Sequence, residues 1–322
     1  MKRRMHTLTV EQPIAIEEQI IQMRKYITFR NTKKMKQFLK YVGYFRASRY
    51  GKYLLSNTLA IQSKPTQEML FSVYYFDVEL RKIFFKYCKI AEIQFKSYLS
   101  NSVSLKTKSS IFYLEDEMYT SSKGEKDKSK KKYNQSKFEK FLKLIKEQEK
   151  ELRKYKDKYP ELKEYRSNGI RKTQKIPCWA AFSYFDFGTI TTMYSYLKGD
   201  LKKAVLVYGY SQCRYSKADV KNVDTWLSAI RNLRNVCSHH NRLVGKTSSV
   251  VLFSNDDTAF KQCAKTQLLS RMYALKKIIP QQDSNDMQRD INKLIKKAKF
   301  DVYAFGILPD NWEFMYSSIK PL

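Results

Sequence analysis

Apolar residues recur at three- and four-residue intervals along most of the chain, the periodicity of helices that bury one face. Ile20, Ile21, Met23 and Ile27 predict a first helix, and Met35, Phe38, Leu39, Val42 and Phe45 a second. Between residues 70 and 98 the positions Leu80, Phe84, Tyr87, Ala91, Phe95 and Tyr98 form one stripe and predict one or two long helices. Phe138, Phe141, Leu142, Ile145 and Leu152 repeat the pattern, and further helices are predicted over 201–210, 223–243, 259–279 and 287–298. Residues 249–253 form a short run compatible with a strand, followed by a polar run, Ser254-Asn255-Asp256-Asp257, of helix-capping type. Nine glycines and seven prolines in 322 residues are too few for the many tight turns of a sandwich or barrel. The expected fold class is all-α.

The pattern breaks at residues 120–136, which carry almost no apolar side chains. Such a stretch predicts a mobile basic loop, joined to a charged helix that runs to about residue 159. The chain then divides into an N-terminal helical region (1–119), a basic insertion (120–174) and a second helical region (175–322). Lys128, Lys130, Lys131 and Lys132 in the insertion suit phosphate contacts; a solvated loop that keeps the protein soluble is the plainer alternative.

Charge changes this picture most. The chain has 62 Lys and Arg against 31 Asp and Glu, a net charge of +31. Such an excess favours association with polyanions. No run of about 18 apolar residues could span a bilayer, and the N-terminus lacks a signal-type apolar core, so a cytoplasmic protein without a membrane partner is expected. The five cysteines (Cys88, Cys178, Cys213, Cys237 and Cys263) are scattered and show no Cys-x-x-Cys spacing, which indicates neither a zinc site nor a disulfide framework. Tyr41, Tyr44 and Tyr50 interleave with Lys40, Arg46, Arg49 and Lys52, a mixture able to stack bases and neutralise phosphates, although aromatics at helical spacing more often belong to a core. Asp77, Glu79 and Glu92 are acidic enough to suggest a metal site, but Glu92 falls on the inner side of its helix, where an ion pair with an arginine is expected. Trp179 and Trp312, beside Pro177 and Pro309, read as core anchors.

The candidate chemistry lies in residues 231–243, which hold two of the three histidines. On a helix, Arg231, Asn235, His239 and Arg242 fall within about 80° of one another, with Arg234 some 60° to the other side. Trp226, Ala229, Ile230, Leu233, Val236, Cys237 and Leu243 form the opposite, apolar face, and His240 falls in its middle. His239 is therefore the candidate acid or base, and His240 a core or supporting residue. Arginine grips phosphate oxygens at any working pH, and histidine titrates near neutrality, so the pair suits transfer of a ribose 2′-hydroxyl proton. An ordinary amphipathic helix with a solvated basic face has the same spacing.

Arg234-Asn235-x-x-x-His239 resembles the Arg-polar-x-x-x-His signature of HEPN ribonucleases. The longer block Leu233-Arg234-Asn235-Val236-Cys237-Ser238-His239-His240-Asn241-Arg242-Leu243 resembles the central landmark of the Abi family of bacterial abortive-infection proteins, the AbiD/AbiF group. Residues Phe38 to Tyr50, Phe76-Asp77-Val78-Glu79-Leu80-Arg81, Ile176-Pro177-Cys178-Trp179 and Gly306 to Trp312 are similar to other family segments in the same order. The chain departs from that pattern after Leu243, where Val244-Gly245-Lys246 replaces the family's Trp-Asn-Arg.

The resemblance implies a helical HEPN-like bundle with an N-terminal helical extension and the basic insertion. It also implies a homodimer that joins two copies of the motif, and catalysis without a metal or cofactor. One His239 would deprotonate the 2′-hydroxyl and the other protonate the leaving 5′-oxygen. Asn235 would orient either group, and Arg234 with Arg231 would stabilise the phosphate. Arg242, Arg46, Arg49 and the insertion lysines would bind RNA. The expected function is a metal-independent endoribonuclease in antiphage or toxin–antitoxin defence, bound to a structured non-coding RNA. Two alternatives stand beside it: an RNA-binding scaffold that does not cut, and a protein that triggers abortive infection by binding a phage or host component.

Overall fold

The structure, a computed structural model, describes residues 13–57, 63–121, 128–155, 158–165, 175–210 and 217–322. Among them are twelve α-helices and four short 3₁₀ segments. No strand is formed there, only isolated bridges between Thr28 and Thr66 and between Tyr119 and Leu197. The fold is all-α. Residues 249–253 form no strand and are held by bonds such as Val251 N–H to the Lys265 carbonyl at 2.9 Å.

The chain forms two compact units. The smaller comprises the described residues up to Leu80 together with Lys293–Leu308. It contains α1 (Ile16–Met23), α2 (Thr32–Val42), α3 (Tyr44–Ser56) and the start of α4 (Gln67–Thr107). Sequence periodicity predicts that α2 runs on through Phe45, but Gly43 adopts φ 85°, a conformation that glycine tolerates without a side-chain clash, and the chain turns there into α3. Met23, Ile27, Met35, Leu39, Ala47 and Leu54 fill its core. Asp77 is buried among them and accepts the Tyr50 hydroxyl, and the Tyr53 hydroxyl donates to the Phe305 carbonyl at 2.9 Å.

The larger unit, Arg81–Asn292 with Pro309–Leu322, holds the rest of α4 and α5 (Lys128–Lys154), α6 (Cys178–Tyr184), α7 (Phe187–Tyr196), α8 (Gly199–Gly209), α9 (Lys217–Ser238), α10 (Leu268–Ile278), most of α11 (Gln281–Lys296) and α12 (Trp312–Ser318). α4 continues without a break for 41 residues, about 60 Å. Within this unit it buries Phe84, Tyr87, Cys88, Ala91, Phe95, Leu99 and Val103, a stripe at helical spacing. Every residue of α10 is buried, so that helix is the central rod, and its most extensive partner is α9. The segment expected to be a mobile loop is partly helical: α5 begins at Lys128, because Phe138, Phe141 and Ile145, about three to five turns on, pack against neighbours such as Tyr196 of α7. Lys130, Lys131 and Lys132 are exposed on its first turns, while residues 122–127 and the Lys128 side chain lie outside the described residues.

α12 and the residues that follow it are docked by two buried lysines. Lys277 pairs with buried Asp257 at 2.7 Å and donates to the Lys320 carbonyl at 2.7 Å. Lys276 donates to the Tyr316 carbonyl at 2.6 Å and sits over the Tyr316 ring. Burial disfavours its charged form and lowers its pKa to about 8, against an ordinary 10.5. Between those two values the unfolded chain holds a proton there that the folded chain has released, so stability rises with pH across that window. Wild type is therefore expected to gain stability relative to Lys276→Met between pH 8 and pH 10, measured as the difference in urea midpoints; a constant difference would contradict the assignment.

Candidate active site

α9 is anchored from behind. Val223, Trp226, Ile230, Leu233 and Cys237 are buried, and the Trp226 indole donates to the Leu252 carbonyl at 2.6 Å. Its last two turns carry the candidate residues outward. Arg231 reaches α7, where Nη1 lies 3.3 Å from Thr191 Oγ1 and 3.5 Å from Thr192 Oγ1. α7 is itself fixed by Asp186, whose carboxylate accepts from the Thr189 N–H at 2.9 Å and its hydroxyl at 3.0 Å. Arg234 turns the other way, towards α4. Its Nε lies 3.5 Å from Glu92 Oε2, and Glu92 Oε1 lies 2.9 Å from Lys96 Nζ. Glu92 is thus the buried partner of an arginine on α9. The Arg234–Glu92 contact is ionic and carries no hydrogen bond at Arg234 Nε, so it leaves the guanidinium able to turn to a second anion. Arg234 Nη1 also donates to Asn235 Oδ1 at 3.4 Å.

The helix ends earlier than its periodicity implies. The last helical residue is Ser238, and the His239 N–H still bonds back to the Asn235 carbonyl at 3.0 Å. The His240 N–H then bonds to the Cys237 carbonyl at 3.2 Å and the Asn241 N–H to the Val236 carbonyl at 3.0 Å. These two bonds, with His240 at φ 54°, are a Schellman cap with histidine where glycine is usual. The apolar-face position predicted for His240 is therefore wrong: the left-handed turn lifts it out, and His239 and His240 are both exposed. A side chain in this conformation costs about 1–2 kcal/mol. His240→Gly is accordingly expected to raise stability by up to about 1 kcal/mol in denaturant unfolding, since part of the gain is lost to the greater freedom of unfolded glycine. A clear loss of stability would mean that the His240 side chain makes contacts worth more than the strain.

The strand of chain beyond the cap is tied down by two arginines that the sequence left without a role. Arg81, 5% exposed, donates from Nη1 to the Asn241 carbonyl at 3.3 Å, and Arg271, 1% exposed, donates from Nη2 to the Lys246 carbonyl at 2.5 Å. Arg81 closes the segment Phe76 to Arg81, so its place in a motif was the available signal; nothing marked Arg271. Between these ties Leu243 and Val244 are buried and Arg242 is half-buried. The structure thus gathers Arg231, Arg234, Asn235 and His239 along the end of α9. Arg46 and Arg49 belong to the smaller unit, on α3, where Arg49 lies 4.2 Å over the exposed Phe45 ring. Tyr50 is a core residue there, and Tyr41 is exposed. Trp312 is fully buried as expected, but Trp179 is 48% exposed and not a core anchor, because the inward positions of α6 are taken by Cys178, Ala181 and Phe182. Among the described residues no group of three or more His, Cys, Asp or Glu side chains is placed to hold a metal ion.

A family model described as Abi-like protein matches residues 37–244, which include α9 and the two helices, α4 and α7, that Arg234 and Arg231 reach. The chain belongs to the Abi-like protein family. The matched span of this Abi-like chain closes at Val244, where the buried segment after the cap ends. The family connects the chain with abortive-infection defence. No curated protein and no solved structure matches it. Among the described residues no helix of this Abi-like protein is long and apolar enough to cross a membrane.

Proposed function

We propose that this Abi-like protein is a metal-independent endoribonuclease of the HEPN type, completed by a second copy of the chain. The observation that carries the reading is the end of α9, where exposed His239 follows Asn235 by one turn and Arg231 and Arg234 flank them on a rigid, buried-backed helix. Those groups are what cleavage by an internal nucleophile requires. A ribose 2′-hydroxyl attacks the adjacent phosphorus, His239 accepts its proton, and the P–O5′ bond breaks as the partner subunit's His239 protonates the leaving 5′-oxygen. Arg234 and Arg231 stabilise the added charge on the phosphate. The products are a 2′,3′-cyclic phosphate and a 5′-hydroxyl. Because one chain presents one such histidine, a two-fold pair supplies both the base and the acid. The +31 charge further supports a stable structured RNA partner beyond a transient substrate.

Replacing the ribose before the cut bond by deoxyribose tests the reading, since it removes the nucleophile. The substituted strand is expected to bind and stay intact, while the all-ribose strand yields 5′-hydroxyl ends. Cutting of the deoxy-substituted strand, or 5′-phosphate ends, would sink the proposal. RNA affinity should fall by orders of magnitude in several hundred millimolar salt; capture of a phage or host component that tolerates such salt would favour a protein-recognition role.

A further inference from the structure

The geometry points to a nucleobase site in the cleft between α4 and α6, with Trp179 stacking one unpaired base of a single-stranded RNA and Lys96 holding the adjoining phosphate. This rests on the RNA-cleaving reading and adds where the strand is held. The cleft encloses about 400 Å³, the size of a small-ligand pocket, and is lined by Trp179, Phe182, Ile93, Lys96, Ser97 and Asn101. α6 is pinned to α4 by buried Cys178, whose Sγ lies 3.4 Å from Ser100 Oγ, and this leaves Trp179, the next residue, facing the opening. Trp226 and Trp312 are wholly buried, so the exposure of Trp179 is peculiar to this cleft. Ile93 across from it is also 67% exposed.

The chemistry matches a nucleotide rather than an apolar peptide. Indole offers a flat face on which any base stacks, and Ser97 and Asn101, joined by a long 3.4 Å hydrogen bond, can turn to a base edge. Lys96 and Arg234 share the single carboxylate of Glu92, which leaves one positive charge over. Through that carboxylate Lys96 Nζ and Arg234 Nε lie within about 9 Å of each other, so a phosphate on Lys96 and one on Arg234 fit neighbouring nucleotides of one strand.

Trp179 emission is the probe, because the other two tryptophans are buried. Protein stripped of nucleic acid is titrated with a 2′-O-methyl oligoadenylate dodecamer, which cannot be cut. The dodecamer is expected to quench emission; Trp179→Ala should weaken its binding about tenfold without changing the salt dependence, and Trp179→Phe should weaken it less. Lys96→Met should instead flatten the salt dependence by about one phosphate contact. Dodecamer binding to wild type with no change in emission, which needs no variant to fold, would overturn the site while sparing the ribonuclease reading; so would full affinity in Trp179→Ala. Equal quenching by AMP, with displacement of the dodecamer, would overturn the strand assignment in favour of a free-nucleotide pocket. No dodecamer binding by wild type at low salt would overturn both readings.

Discussion

His239→Ala is expected to lower RNA cleavage by about 10³-fold or more while leaving the melting temperature within about 2 °C of wild type. In a two-fold dimer the substitution removes the base from one copy and the acid from the other, and each such proton transfer contributes about 10²- to 10⁴-fold. The structural cost is small because the side chain is exposed and the cap is made by backbone groups: the His239, His240 and Asn241 N–H bonds to Asn235, Cys237 and Val236 do not use the imidazole. Arg234→Ala should also abolish cleavage, but at a visible stability cost, since it takes one cation from Glu92. Cleavage surviving in both variants would remove the assignment.

The largest stability effect is expected at Glu92. It is 8% exposed and is the one carboxylate between Lys96 and Arg234, whose side chains are 14% and 31% exposed. Glu92→Gln keeps the shape and removes the charge, leaving two partly desolvated cations facing each other. Breaking a fully buried pair costs about 3–5 kcal/mol; the exposure of Arg234 reduces this to about 2 kcal/mol here. The urea midpoint should fall accordingly, and adding Lys96→Met should restore part of the loss by removing one of the two cations. An unchanged midpoint in Glu92→Gln would show that the carboxylate does not hold the two cations together. The variant also frees Arg234, so cleavage measured below its melting transition reports whether Glu92 positions the guanidinium or restrains it.

The helical class was legible because three-to-four periodicity depends only on which faces are buried. Leu80 to Phe95 on α4 and Trp226 to Cys237 on α9 stand where their spacing puts them, whereas Tyr98 is only half-buried and α4 runs on past it to Thr107. The Glu92–Arg234 pair was legible for the same reason: an acid on an inward face needs a cation. What could not be read was set by backbone hydrogen bonding and by three-dimensional neighbours. A wheel drawn through residue 243 buried His240, whereas the cap at Cys237 and Val236 ends the helix first, and histidine gives no glycine-like signal of a left-handed turn. The polarity of residues 128–136 reads as loop, yet apolar residues further along α5 propagate the helix back through them. Trp179 beside Pro177 has the look of an anchor, and only the packing of Cys178 and Phe182 shows that the inward positions are already filled. Arg81 and Arg271 act on backbone carbonyls 160 and 25 residues away in sequence, which no local pattern encodes.

The proposed function assigns metal-free RNA cleavage to His239 of this Abi-like chain. It is tested most directly by incubating RNA with nucleic-acid-stripped wild type and with His239→Ala in excess EDTA, and by determining the ends of any product. Cleavage by wild type alone, leaving 2′,3′-cyclic phosphate and 5′-hydroxyl ends, is the predicted result. Equal cleavage by both proteins, or cleavage by wild type that EDTA abolishes, would contradict it.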